Sequence, residues 1–276
     1  MTSLLQRPAT GTTSTRQRRT LPRWVPPVLV FLGILAAWYF ISYVVLEPAV
    51  RFLLPPPHTI FTDAFFVPAT LSDILLALSR SAGVALTGLG IALVIGVVWA
   101  VGMSQARWIE RSLFPYAVIL QCIPILALVP LIGFWFGFDF PARVIVCVMI
   151  ALFPIVSNTL FGLQSVDKGQ RELFQLQKAN RWTVLTKLEF PAATPAIFAG
   201  IRISAGLAVV GAIVGDFFFR RGDPGIGSLI SNYQSRVQGA ELFAAIITAS
   251  LFGVLIFVFF GWLGNRFVGK WYDSGK

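Results

Sequence analysis

Six apolar runs, each long enough to cross a bilayer, constrain this chain more than any other feature. They fall at 25–46, 78–103, 113–136, 143–164, 193–219 and 242–265. A helix of about 20 residues rises roughly 30 Å, the thickness of the hydrocarbon core. Inside that core the backbone must satisfy its own hydrogen bonds, so each run is read as a helix. The expected fold class is all-α, a polytopic membrane protein with six transmembrane helices. With 56% hydrophobic and 12% charged residues and a mean hydropathy of +0.77, a soluble domain is excluded. The net charge of +10 would point to nucleic acid in a soluble chain. Here the basic residues gather at the mouths of apolar runs, where membrane lipids attract them, and no nucleic-acid partner is expected.

Their distribution predicts a topology. The tail before the first run, the segment near 107, the stretch 165–191 and the C-terminus hold fifteen Lys and Arg, against six at the opposite ends of the runs, with Arg202 inside one. Because Lys and Arg favour the cytoplasmic side, both termini are placed on that side of the membrane. One membrane domain over 25–268 is expected, between a disordered basic tail at 1–24 and a short cytoplasmic segment at 269–276. A cleaved signal peptide is the competing reading of the first run, but its apolar core would be only roughly 7–15 residues. Cys122 and Cys147 fall inside predicted spans and read as small buried apolar side chains.

The third run is interrupted by Pro115, Pro124 and Pro130. An outer loop at 47–77 carries three consecutive prolines, Pro55 to Pro57, which impose extended backbone. A second outer loop at 220–241 has a tight-turn signal at Asp223, Pro224 and Gly225. The stretch 165–191 is charged, lies between two apolar runs, and reads as two short amphipathic helices. Leu173, Leu176 and the stem of Gln177 share a face in the first, while Trp182, Leu185 and Leu188 recur in the second. Such an apolar ridge framed by charge calls for a protein partner, or for the lipid surface.

This stretch resembles the coupling motif of binding-protein-dependent ABC importers: Glu-Ala-Ala, three residues, Gly, nine residues, Ile, one residue, Leu-Pro. Glu172, Leu173, Phe174, Lys178, Leu188, Phe190 and Pro191 take those positions, and only Glu172 and Pro191 are identical. Ile123 to Pro130 with Phe134 to Gly137, Phe153-Pro154-Ile155 with Asn158-Thr159, Leu53-Leu54-Pro55 with Pro57, Gly200 to Ile203 and Gly225-Ile226-Gly227 are similar to the sulfonate, taurine and nitrate branch of these permeases. The resemblance covers roughly 50–268. It implies a type I importer permease core that pairs with a second permease copy, two ABC ATPase subunits and an extracytoplasmic solute-binding protein, without a cofactor of its own. The motif's Gly allows a sharp turn. Lys178 would resist one, so the turn is expected to move to Asn180, which tolerates left-handed backbone and caps helices.

The resemblance implies an ATPase-coupling set of Glu172, Leu173, Leu176, Lys178, Asn180, Trp182, Leu185 and Pro191. Gln121, Pro124, Asn158, Arg202, Ser204 and Asp216 are the candidates for the translocation path. Four of them have a second reading. Arg202 either faces the path and favours an anion, or snorkels to headgroups or a structural partner. Asp216 is either an outer gate or a partner of Arg220 or Arg221. Asn158 and Gln121 either face the path or tie two helices together. Ala196, Gly200, Ser204, Ala208 and Ala212, with Gly211 and Gly215, leave one side of the fifth helix bare, for the bundle centre or a dimer seam.

Catalysis finds no support. His58 is the only histidine, no metal-ligand spacing occurs, and no Gly-rich loop ending in Lys-Ser or Lys-Thr is present. Two other classes compete with a permease subunit. A self-powered secondary carrier or channel would show an inverted repeat or a row of membrane carboxylates. A membrane enzyme or scaffold would cluster its acids, which are scattered here.

Overall fold

The computed structural model describes residues 22, 24–219 and 221–272. The tail expected over 1–24, Arg220 and the end of the segment at 269–276 lie outside them, apart from isolated positions. Eleven helices are present among the described residues: α1 (Val25–Phe40), α2 (Pro57–Ile60), α3 (Pro68–Ser104), α4 (Arg107–Cys122), α5 (Ile125–Phe136), α6 (Phe140–Gln164), α7 (Lys168–Leu176), α8 (Arg181–Val184), α9 (Phe190–Phe218), α10 (Ile226–Ser235) and α11 (Gly239–Tyr272). Five stretches are long and apolar enough to cross a membrane, and the bent pair α4 and α5 makes a sixth if taken as one span.

The centre of the bundle is the antiparallel pair α6 and α9. The bare side of α9 makes this possible. A Cβ at Gly211 would lie 2.8 Å from the Cys147 Cα, and one at Gly200 would lie 2.9 Å from both the Asn158 Cβ and the Pro154 carbonyl oxygen. Ser204 donates to the Ala151 carbonyl at 2.6 Å, closing the seam with a polar stitch. The small residues therefore join two helices of one chain, and this face is not open to a second copy. Helix α3 packs against both, α11 closes on α9, and α4 and α5 lie along α6. The first span, α1 with its π-helical end Ile41–Val45, is peripheral, with 6% of its apolar window buried.

The third run does break at its prolines. Cys122 ends α4 because Ile123 precedes Pro124 and is driven into extended backbone (φ −64°, ψ 125°). The pair bends by 96°. It still progresses along α6, since Ala117 packs near Leu152 and Val156 while Ile132 reaches Ala142. Cys147 is buried in the α6–α9 seam, its Sγ 3.3 Å from the Ala208 carbonyl, but Cys122 is exposed at the break, contrary to its expected burial.

Three predicted boundaries move. The expected loop 47–77 holds a 3₁₀ turn (Pro48–Leu53), the short α2 and the first turns of α3, which starts at Pro68 because Ile74 and Ala77 face a second core against Ile226 and Ala245. The loop 220–241 holds α10. The second amphipathic helix is not separate either. Helix α8 runs through a π turn, Leu185–Glu189, into α9, so 181–218 forms one 38-residue rod. Pro191 offers no N–H to the turn before it, and a widened π turn accommodates the missing donor.

Candidate functional site: a helical hairpin beside a buried ionic hub

Helix α7, the turn 177–179 and α8 form a hairpin at the end of the bundle. Lys178 sits at its tip in left-handed backbone (φ 52°), so the turn stays where the motif has its Gly and does not move to Asn180. Asn180 caps α8 as expected, its side chain accepting from the Thr183 N–H at 2.7 Å. Leu173, Leu176 and Trp182 stand 54%, 82% and 70% exposed, and Glu172 is exposed beside them. Leu185 leaves this set. It is 4% exposed and packs on Leu163 and Ala193. Pro191 is half-buried at the start of α9.

Behind the hairpin lies a residue that the sequence reading passed over. Glu189 is 2% exposed, with Arg171 of α7 at 3.4 Å and Arg181 of α8 at 3.8 Å from its Oε1. The same guanidinium groups grip the carboxyl ends of two membrane helices. Arg171 donates to the Leu163 carbonyl of α6 at 3.0 Å, and Arg181 to the carbonyls of Ser104 and Gln105 at 3.0 and 3.1 Å. Those carbonyls carry the negative end of the helix dipole, so cations there are doubly favoured. A lone acid amid Leu188, Phe190 and Pro191 was the available signal.

The opposite end of the bundle has its own ionic knot. Asp216, fully buried, pairs with Arg143 of α6 at 3.3 Å. Its Oδ2 accepts from the Ser81 hydroxyl and the Gly227 N–H, while its carbonyl accepts from Ser228 at 2.6 Å. Arg143 further donates to the carbonyls of Asp223 at 2.8 Å and Arg221 at 2.6 Å. The partner of Asp216 is thus Arg143. The Arg221 side chain lies over Phe138 instead, and Arg220 is outside the described residues.

The remaining path candidates separate. Gln121 lines a cavity of about 280 Å³ at the break of the third span, with Ile125, Phe153, Pro154 and Leu207, and Pro124 is exposed at that break. Asn158, one turn along α6, donates to the Pro154 carbonyl at 2.8 Å. Ser204 and Asp216 are buried between helices. Arg202 lies on the other side of α9, its guanidinium 4.1 Å from the Phe257 ring centre of α11, so it does not meet Gln121 or Asn158.

Comparison with known proteins agrees with this architecture. Residues 92–269 match the model of the family described as binding-protein-dependent transport system inner membrane component. The formylaminopyrimidine transport permease protein ThiX of Halalkalibacterium halodurans is 32% identical over 240 residues, 84% of this chain and 90% of that relative. SsuC of Bacillus subtilis, assigned to aliphatic sulfonate transport, is 30% identical over 254 residues, covering 91% of this chain and 89% of SsuC. A crystal structure of an amino acid ABC transporter with histidines shares the fold, with a TM-score of 0.55 at 17% identity over 71% of this chain and 93% of that one. The chain belongs to the binding-protein-dependent transport system inner membrane components, the plasma-membrane permease subunits of ABC importers.

Proposed function

We propose that the hairpin 168–189 docks an ABC ATPase through Leu173, Leu176 and Trp182, with Glu172 as a charged anchor and Lys178 and Asn180 shaping the tip. The observation that carries this reading is the exposure of three large apolar side chains on a hairpin fixed from behind by ion pairs. Apolar side chains of this size at the mouth of a membrane bundle gain most by covering one another across an interface. The hairpin then faces the cytosol, in keeping with its five basic residues, and both termini lie on that side. Two copies of the chain form the path, each docking one ATPase, and a solute-binding protein delivers cargo to the opposite face. The wall of that path is the break of the third span, with Gln121, Pro124 and Asn158.

The substrate class is a small solute of the sulfonate, nitrate, taurine or thiamine-precursor kind, and the names of several relatives include aliphatic sulfonates, nitrate and formylaminopyrimidine. Arg202 gives an anion little support, because it stacks on α11 away from Gln121. The test is purification of the tagged chain from native membranes in mild detergent, with mass spectrometry of what accompanies it. An ATPase at about one copy per chain is expected, together with a binding protein to screen against aliphatic sulfonates and pyrimidines. The double variant Glu172→Lys, Leu176→Asp should lose the ATPase while its helical bundle stays intact. Retention of the ATPase by that variant would refute the docking role.

A further inference from the structure

Glu189 joins no apolar ridge, yet among the described residues it is the most deeply buried charge at the hairpin end of the bundle. Its two arginines come from the two arms of the hairpin, α7 and α8. Through Arg171 the first arm is tied to the end of α6, and through Arg181 the second is tied to the end of α3. Glu189 itself belongs to the π turn that continues into α9. One carboxylate therefore bridges the two cations that fasten the hairpin to three membrane helices. Its second oxygen, Oε2, is buried without a partner, and the residue borders a cavity of about 460 Å³ that also exposes Arg107, Glu110 and Lys168. The hub is thus held by charge rather than by close packing on that side.

Resting on the docking role of the hairpin, we propose that Glu189 is the positioning residue that makes hairpin and membrane helices move as one body, so that displacement of a docked ATPase reaches α3, α6 and α9 together. Without the carboxylate, Arg171 and Arg181 repel each other. The hairpin is then linked to the bundle by its chain connections and by hydrogen bonds that each arginine can surrender separately. Only the sequence connection through 181–218 would then carry motion from the hairpin into the packed helices α3, α6 and α9. Glu189→Gln tests this with little change of shape.

The experiment uses the complete permease–ATPase complex in lipid nanodiscs. Spectroscopic labels at Phe140→Cys, at the far end of α6, one in each of the two copies of the chain, report the separation of the copies before and after a non-hydrolysable ATP analogue. In the otherwise native complex the analogue should shift this distance. With Glu189→Gln the ATPase should remain bound while the shift falls by about fivefold, within the range that coupling residues produce. A shift of undiminished size in Glu189→Gln would overturn the proposal. Absence of the ATPase from the otherwise native complex would instead overturn the docking role, a separate result. Should Glu189→Gln fail to assemble, Arg181→Gln serves in its place. It keeps the Arg171 pair and releases only the α3 tie, and it must also reduce the shift for the proposal to stand.

Discussion

Replacing Arg143 by Met isolates the far-end knot from everything else in the bundle. The arginine is 3% exposed and its carboxylate partner fully buried. Met conserves much of the aliphatic length, so the loss is chiefly that of the cation and its three contacts, one to Asp216 and two to the carbonyls of Asp223 and Arg221. Breaking a buried pair by removing one partner costs about 3–5 kcal/mol, because the other charge stays behind without compensation. For a chain of this size that corresponds to a fall in melting temperature of roughly 6–12 °C at the lower bound. The loss should be local at first. Turn 221–225 and α10 hang from this knot, so amide exchange over 226–235 should quicken by about a hundredfold before the α6–α9 seam responds. Thermal unfolding in detergent and hydrogen exchange with mass spectrometry read the two effects. The double variant Arg143→Met, Asp216→Asn removes both charges while Ser81 keeps an acceptor, and it should regain more than about 1.5 kcal/mol relative to the sum of the single variants. A single Arg143→Met that melts within about 2 °C of the parent would refute the reasoning.

Other expectations follow from the same contacts. Gly211→Ala places its methyl against the Cys147 backbone and should destabilise by about 1–3 kcal/mol, whereas Gly206→Ala, with no heavy atom within 4 Å of the new Cβ, should be neutral or slightly stabilising in a melting assay. Lys178→Gly should leave ATPase association intact, while Lys178→Val, a β-branched residue in left-handed backbone, should weaken it by raising the cost of the turn about 1–2 kcal/mol, measured by co-purification. Pro124→Ala should relax the break in the third span, and labels on Gln121 and Phe136 should then move apart as the bend of 96° opens.

Long apolar runs and proline breaks were legible in the sequence because they record properties of single segments. The fourth span ends at Gln164 as expected, where the sequence turns polar, and the third run breaks at Pro124 as its prolines indicate. Expectation misses where a boundary depends on tertiary contact. Helix α3 starts ten residues early because Ile74 meets Ile226, a partner 152 positions away. The fate of Leu185 could not be read either. Three-residue spacing assigned it to the face of Trp182, but Leu163 and Ala193, neighbours from other parts of the sequence, take it into the core. Charge partners were the least visible layer. Asp216 pairs with a residue counted only as a topology marker, and Glu189 was one acid among several in a charged stretch. Pairings across more than 70 positions, such as Arg143 with Asp216, leave no local pattern for a single sequence to display.

The π turn at Leu185–Glu189 also has a meaning in units of one residue. A π turn holds one residue more than the α-helical turn it interrupts. Deleting Thr186, which is exposed within it, would restore regular winding and rotate α8 by about 100° about the axis of α9, while α7 stays tied to α6 through Arg171. Trp182 would then point to a different compass bearing from Leu176, and the two halves of the exposed face would no longer share a plane. A gene lacking that single codon would encode every helix of this protein and still present the wrong side of its hairpin to whatever arrives there.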